Sequence, residues 1–330
     1  MPVHQKGAGV PVILSVEGVK KHFSSGGALE RLLRRTSVIK AVDGVSFDVE
    51  QGSTLGIVGE SGCGKTTLAR TMARLYKPTE GRVLFKGNDI ATMSEAEFRP
   101  MRRNIQMIFQ DPLGSLNPRR TVEEIVEKPL RVHGIDGDRG RQVDEVLDAV
   151  GLEPRRHKDR YPYQLSGGQA QRVAIARALI LEPDLIVADE PVSALDVSVQ
   201  AQIINLLQRL QDERGLTYVF ISHDLSVVRH LTDHVMVMYS GEAVEYASTD
   251  QLFDDPLHPY TNVLLAAVPR IHAREQPPER QGRSPSPVRR PDECPLHVGS
   301  QAEAREDHDH DRPRLVETEP GHFVACHWRG

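Results

Sequence analysis

A glycine-rich segment, GESGCGKT at residues 59–66, has the residue types and spacing of a loop that binds phosphate groups. It follows an apolar run, TLGIV at 54–58, and precedes a helix-forming run, LARTMARL. Glycines allow consecutive backbone N–H groups to turn toward one anion, and the helix N-terminus adds partial positive charge. We expect Lys65 to contact the β- and γ-phosphates of a nucleotide and the Thr66 hydroxyl to ligate Mg²⁺. The alternative is a glycine turn that carries a surface lysine.

Two carboxylates end a second apolar run, DLIVADE at residues 184–190. A buried strand would deliver both acids to the carboxyl edge of a parallel sheet, where ligands bind in such folds. We expect Asp189 to hold Mg²⁺ through a water molecule and Glu190 to act as general base toward an attacking water. An acidic pair can also be a solvated strand end. The phosphate-binding loop upstream favours the catalytic interpretation.

The segment LSGGQ at residues 165–169 comes directly before the run AQRVAIARALI, whose composition is typical of a helix. Ser166 can cap that helix, and the glycines can form its entry turn. The same serine, exposed backbone N–H groups and helix N-terminus also make a second phosphate-binding surface. One chain cannot easily bring both surfaces to a single nucleotide.

Apolar strands that alternate with amphipathic helices must position these motifs. This alternation predicts an α/β fold with a parallel sheet covered on both faces. Residues from about 112 to 165 lack strand signals and are interpreted as a helical insertion. The predicted strands are 12–19, 38–49, 54–58, 104–109, 184–189, 217–222 and 234–239, and the predicted helices include 170–182 and 197–213.

Composition and charge limit the class of protein. Of the 330 residues, 39% are hydrophobic and 26% are charged, as in a soluble globular protein. No apolar run reaches the length of a membrane span and no export signal is evident, so we expect a cytosolic location. The net charge of −5 disfavours nucleic acid as a partner. The cysteines, Cys63, Cys294 and Cys326, are too few and scattered for a disulfide framework.

The order of these motifs resembles that of ABC transporter ATPases over approximately residues 12–270, with LSGGQ in the place of the ABC signature. The resemblance implies a P-loop NTPase fold with a parallel core sheet, an antiparallel β subdomain and a helical subdomain. It also implies a head-to-tail dimer, in which each ATP lies between the phosphate loop of one chain and the signature of the other.

Further site residues follow from this resemblance. Gln110 matches the Q-loop glutamine, Asp196 lies in the D-loop segment SALD, and His223 matches the switch histidine. Phe23 is the expected aromatic that stacks on adenine, although it can instead be a core aromatic. We expect Glu190 and His223 to be catalytic and Thr66, Gln110 and Asp189 to ligate Mg²⁺. The residues expected to bind nucleotide are Phe23, Gly59, Glu60, Ser61, Gly62, Cys63, Gly64, Lys65, Thr66, Thr67, Gln110, Leu165, Ser166, Gly167, Gly168, Gln169 and Asp196.

Finer similarities point to the ATPases of oligopeptide and dipeptide importers. They lie in FQDPLGSLNPR at 109–119, in DEPVSALDVSVQAQ and in DPLHPYTNVLLAAVP at 255–269, where HPYT alone can be a helix cap. The resemblance implies an ATPase on the inner face of the cytoplasmic membrane. Its implied partners are a sister ATPase or a second copy, two transmembrane permease subunits and, indirectly, an extracytoplasmic solute-binding protein. Import of nickel, glutathione or another small solute is an alternative, and a soluble ABC ATPase outside transport is an alternative of another class.

The resemblance also suggests a division into domains. We expect an ABC ATPase domain at 12–250 and a C-terminal extension at 251–330, with a flexible tail at about 271–312. Tails of this group often carry four cysteines for an iron–sulfur cluster, but only Cys294 and Cys326 stand at comparable places, so no cluster is expected. The run EDHDHD is interpreted as a solvated tail, with metal binding as the alternative. Residues 24–37 are interpreted as a solvated loop, with binding to anionic lipid or a membrane partner as the alternative.

Overall fold

The computed structural model of the protein describes residues 10–25, 37–267 and 315–325. The strands in these ranges are β1 (Val12–Ser25), β2 (Ser37–Glu50), β3 (Thr54–Val58), β4 (Glu80–Phe85), β5 (Asn88–Asp89), β6 (Ile105–Ile108), β7 (Leu185–Asp189), β8 (Thr217–Ile221), β9 (His234–Tyr239), β10 (Glu242–Ser248), β11 (Leu315–Glu319) and β12 (His322–Ala325). The α-helices are α1 (Lys65–Met72), α2 (Glu95–Phe98), α3 (Pro112–Ser115), α4 (Val122–His133), α5 (Arg139–Ala149), α6 (Pro154–His157), α7 (Gly167–Leu179), α8 (Val197–Arg214), α9 (Leu225–Leu231), α10 (Thr249–Asp254) and α11 (Pro259–Ala266).

The larger sheet carries the candidate site. Within the described ranges it contains eight strands in the order β11-β12-β10-β9-β3-β8-β7-β6. The five strands from β9 to β6 run parallel, so the carboxyl ends of β3 and β7 lie at the same edge. Alternate residues of β7 face opposite sides: Val187 packs toward α1 and the antiparallel sheet, and Ile186 packs toward α7 and α8. The predicted parallel sheet is confirmed.

A smaller antiparallel sheet packs against α1. Its strand order is β2-β1-β4-β5, and its buried side chains include Leu14, Phe47 and Phe85. Sequence analysis placed β1 and β2 but missed β4 and β5. The missed strand β4 begins with three exposed residues, so it lacks the alternation of apolar and polar residues that marks a half-buried strand.

Short helices fill the chain between β6 and α7, as the lack of strand signals in that region predicted. The helix α4 begins with a capping box between Thr121 and Glu124 and ends at Gly134, whose φ of 64° is a left-handed cap. Its buried face, with Val126 and Leu130, packs in the same core as Val173 of α7. This packing fixes the start of α7, where LSGGQ lies. The proposed domain boundaries remain a prediction.

The chain after β9 returns to the edge of the larger sheet. The strand β10 runs antiparallel to β9, and β12 pairs with β10 through Tyr246 and Phe323.

None of the helices in the described ranges is long and apolar enough to cross a membrane. The bounds of the solvated loop predicted at 24–37 were wrong at both ends, because the antiparallel pairing of β1 with β2 extends to Ser25 and Ser37. The rest of that prediction, at 26–36, and the predictions for the tail at 271–312, the run EDHDHD, Cys294 and Cys326 lie outside the described residues.

Candidate functional site

The glycine-rich loop connects the end of β3 to the start of α1. Gly59, Gly62 and Gly64 have φ values of 149°, 83° and 111°, a region that side chains with a Cβ rarely adopt. A Cβ at Gly59 would lie 2.2 Å from the carbonyl oxygen of Met238, and one at Gly64 would lie 2.0 Å from that of Ala41. Glycine is therefore required at both positions by backbone conformation and by close packing against two neighbouring strands.

The loop closes around the ammonium group of Lys65, which is 4% exposed. Lys65 Nζ donates hydrogen bonds to the carbonyl oxygens of Gly59 at 2.7 Å and Glu60 at 2.8 Å. A buried ammonium needs such acceptors because it has left water. Phosphate oxygens form stronger, charge-assisted hydrogen bonds with an ammonium than neutral carbonyl oxygens do. The loop thus holds a positive charge ready for an anionic ligand.

An open cavity lies over this loop, at the carboxyl edge of the parallel strands. The cavity is lined by Ala41, Ser61, Gly62, Gly64, Lys65, Thr66, Thr67, Gln110, Glu190 and His223. The structure therefore brings most of the predicted loop together with the predicted residues Gln110, Glu190 and His223 and with Ala41, which was not predicted. Gly59, Glu60 and Cys63, which were also predicted, shape the loop without lining the cavity.

Three polar side chains meet across the cavity from the loop. Glu190 Oε2 accepts a hydrogen bond from Gln110 Nε2 at 2.9 Å and lies 3.2 Å from His223 Nδ1. The Glu190 side chain is only 15% exposed, whereas that of His223 is 59% exposed. The Glu190 backbone has a φ of 47°, unusual for a residue with a side chain, and its N–H donates to the carbonyl oxygen of Ile221. A carboxylate held in this way can accept a proton from, or orient, a water molecule.

Asp189 and Thr66 place a carboxylate and a hydroxyl group next to each other beside these three side chains. Thr66 Oγ1 donates a hydrogen bond to Asp189 Oδ1 at 3.0 Å, and Asp189 is 2% exposed. Burial raises the pKa of Asp189, and the hydrogen bond from Thr66 lowers it in part. A bound cation would offset the cost of burying this carboxylate. Carboxylate and hydroxyl oxygens are the ligands that Mg²⁺ prefers, so the donor set fits that ion.

The segment LSGGQ lies away from this cavity. Ser166 is the N-cap of α7: its Oγ accepts from the N–H of Gln169, and its own N–H donates to Gln169 Oε1, which makes a capping box. Leu165 is buried, whereas Ser166 and Gly167 are exposed. A Cβ at Gly168 would lie 2.5 Å from Val199 Cγ1 of α8, so this segment packs directly on the neighbouring helix.

Asp196 lies next to that surface. It is the exposed N-cap of α8 and accepts a hydrogen bond from the N–H of Val199 at 3.0 Å. Neither Asp196 nor any residue of 165–169 lines the cavity over the phosphate loop. The chain therefore presents two separate surfaces, and the binding of phosphate by the surface at 165–169 stays a prediction.

Phe23 lies near the end of β1, opposite Ile39 of β2. Its ring is 37% exposed and packs edge-on against Tyr76, with 5.7 Å between ring centroids. Ala41, which lines the cavity, belongs to the same strand as Ile39. The ring is thus at the surface rather than in the core, on the hairpin that borders the cavity. Its contact with adenine stays a prediction.

Among the residues that contact the loop, Tyr260 was not predicted from the sequence. Tyr260, at the start of α11, accepts a hydrogen bond on its hydroxyl from the N–H of Glu60 at 2.9 Å. The segment HPYT was noted, and His258 does cap the helix, accepting from the N–H of Tyr260 at 3.1 Å. The two contacting residues are 200 positions apart in the sequence. Glu60 follows β3 and Tyr260 follows β9 and β10, so the pairing of β9 with β3 brings the two residues close together.

Comparisons with known proteins agree with this arrangement. Residues 42–193 match the family model described as ABC transporter, and residues 244–298 match that described as oligopeptide/dipeptide transporter, C-terminal region. The chain is similar to the oligopeptide transport ATP-binding protein AppF of Bacillus subtilis (strain 168), with 51% identity over 322 residues, 96% of this chain and 97% of the relative. It is also similar to OppF, an oligopeptide transport ATP-binding protein of the same organism, with 44% identity over 95% of this chain and 96% of the relative.

Solved structures give the same result for the fold. The dimeric ATP-binding cassette MJ0796 in a post-hydrolysis state bound to ADP and Pi matches with a TM-score of 0.64 and 33% identity, covering 72% of this chain and 98% of that chain. The structure of cbiO1 from Clostridium perfringens, part of the ABC transporter complex cbiONQ, also matches with a TM-score of 0.64, at 30% identity over 74% of this chain and 91% of that chain.

Proposed function

We propose that this chain, which belongs to the ABC transporter family and to its group of oligopeptide transport ATP-binding proteins, hydrolyses ATP to drive the uptake of oligopeptides or dipeptides. The observation that carries the proposal is the meeting of Lys65, Glu190 and His223 at one cavity over the phosphate-binding loop. ATP is the substrate that such a loop and a nearby general base would serve together. The match of residues 244–298 to the oligopeptide/dipeptide transporter region supports peptides as the solute.

The proposed reaction is in-line attack of water on the γ-phosphorus of ATP, which gives ADP and inorganic phosphate. Glu190 orients the water and accepts its proton, while His223 lies within 3.2 Å of the same carboxylate and fixes its direction. Lys65 donates to phosphate oxygens and neutralises charge that develops there. When bound, Mg²⁺ supplies further charge neutralisation and would be held by Thr66, Asp189 and the amide oxygen of Gln110.

We further propose that the surface at 165–169 acts on a nucleotide held by another subunit. The exposed Ser166 and the N-terminus of α7 offer N–H and hydroxyl donors to an anion, but they do not line the chain's own cavity. A head-to-tail pair of ATPases would place each such surface over its partner's ATP. The partner is a sister ATPase or a second copy of this chain. This assembly would contact two transmembrane permease subunits at the inner face of the cytoplasmic membrane.

The choice of solute can be tested in cells that lack this subunit. Uptake of labelled dipeptides and tripeptides should be lost and should return when the wild-type chain is supplied. Uptake of labelled Ni²⁺ and glutathione, measured in the same cells, should not change. Loss of nickel or glutathione uptake with normal peptide uptake would contradict the proposed solute. Normal uptake of all of these solutes would contradict a role in their import.

A further inference from the structure

The hydroxyl of Tyr260 connects the C-terminal region to the phosphate-binding loop. Tyr260 is 3% exposed, and its ring packs against Tyr239 with 4.6 Å between centroids. Its Oη accepts the hydrogen bond from the N–H of Glu60 at 2.9 Å. Packing therefore fixes the position of the hydroxyl, and the hydroxyl in turn fixes one N–H of the loop.

The peptide unit that Tyr260 holds is the same one that holds the catalytic-site lysine. The N–H of Glu60 and the C=O of Gly59 belong to one planar peptide group. That C=O accepts the 2.7 Å hydrogen bond from Lys65 Nζ, and the next carbonyl, that of Glu60, accepts a second one at 2.8 Å. Rotation of this peptide group would move the Gly59 acceptor, while the Glu60 carbonyl belongs to the next peptide group. Tyr260 thus determines the direction of the group that positions the Lys65 ammonium.

A continuous set of hydrogen bonds holds Tyr260 from the other side. His258 Nδ1 accepts from the N–H of Tyr260, and the N–H groups of Leu257 and His258 donate to the carboxylate of Glu245 at 2.7 and 3.0 Å. Glu245, in β10, is fully buried and also contacts His322 Nε2 of β12 at 2.8 Å. The turn that presents Tyr260 is therefore fixed to two strands of the larger sheet.

We propose that Tyr260 is a positioning residue for ATP, through which the C-terminal region prearranges the phosphate-binding loop. This inference rests on the proposed ATPase function. Tyr260 does not line the cavity and contacts none of the side chains that meet across it, so its effect is on nucleotide affinity rather than on the hydrolytic step. A loop already held in the binding conformation loses less conformational freedom when the nucleotide binds.

The test is Tyr260→Phe, which removes the hydroxyl and keeps the ring. Glu60 is exposed, so water can replace the lost acceptor and folding should be preserved. The Kd of a fluorescent ATP analogue for the full-length chain should rise by about 2- to 12-fold, the effect of one hydrogen bond. The KM for ATP should rise in parallel, while kcat and the midpoint of thermal unfolding stay close to wild type. Tyr239→Phe is the matched control, because Tyr239 packs on the same ring and makes no hydrogen bond to the loop within the described residues.

Two results would overturn the inference. The first is an unchanged Kd in Tyr260→Phe, which together with a lower unfolding midpoint would give Tyr260 a purely structural role. The second is an equal rise in Kd in Tyr239→Phe. Failure of the wild-type chain to bind the analogue would instead contradict the proposed function, so the two failures are distinguishable.

Discussion

Replacement of Glu190 by Gln should separate ATP binding from ATP hydrolysis. Glutamine has the same shape as glutamate. Its amide oxygen can take the place of Glu190 Oε2, which Gln110 Nε2 contacts at 2.9 Å and His223 Nδ1 at 3.2 Å, and its amide nitrogen then takes the place of Oε1. We therefore expect the free energy of unfolding to change by no more than about 1 kcal/mol, the net contribution of a typical hydrogen bond. ATP affinity should not fall, because the change removes a negative charge beside an anionic substrate.

The hydrolysis rate should respond very differently. An amide cannot take a proton from water, and a positioned general base contributes about 10²- to 10⁴-fold to such a rate. This range corresponds to about 3–5 kcal/mol in activation free energy. Phosphate release at saturating Mg-ATP measures the rate, and the ATP-bound variant should accumulate as a stable dimer in size-exclusion chromatography.

The control for this variant is Glu213→Gln, which makes the same chemical change at an exposed position of α8 where Glu213 pairs with Arg209. Its turnover should equal that of the wild type. Turnover close to wild type in Glu190→Gln would refute the assignment of Glu190 as the general base. A loss of ATP binding in that variant would refute the reasoning that the amide is tolerated.

Two further predictions concern other parts of the site. Ser166→Ala should destabilise the chain by about 1 kcal/mol, because the helix loses its cap. It should also reduce turnover of the assembled ATPase at least about tenfold, because a hydrogen bond to an anion is lost. Weaker ATP binding by the isolated subunit would contradict a role of Ser166 on the partner's nucleotide. Because burial raises the pKa of the Cys63 thiol, alkylation of Cys63 should be slow at neutral pH, accelerate as the pH rises and slow further with Mg-ATP, as mapped by mass spectrometry. Rapid labelling at neutral pH that nucleotide does not affect would contradict the placement of Cys63 in this loop.

The parts of the site that sequence analysis predicted are those encoded by short local patterns. The residues of the phosphate-binding loop and the pair Asp189–Glu190 each directly follow an apolar strand, so their place at one sheet edge follows from the alternation of strands and helices. The capping role of Ser166 is equally local, since its partner Gln169 is three residues away. Gln110 and His223 required the family resemblance, because a single polar residue after a strand has no distinctive local pattern.

The parts that were missed depend on contacts between distant segments. The strand β10 contains Glu245 among apolar residues, and a carboxylate in that position argues against a buried strand until its partner is known. That partner, His322, lies 77 positions further along the chain. The contact of Tyr260 with Glu60 is of the same kind, because it depends on the order of strands in the sheet. Sequence alone gives neither pairing.

The most direct test of the account is to measure ATP hydrolysis and peptide uptake in the same proteoliposomes, which contain this chain, its partner ATPase and the permease subunits. Lys65→Met removes the ammonium and keeps an unbranched side chain in the buried position. With wild-type protein we expect internal peptide to accumulate only with ATP, and with Lys65→Met we expect both hydrolysis and accumulation to be strongly reduced. Peptide accumulation at the wild-type rate in the Lys65→Met vesicles would contradict the account.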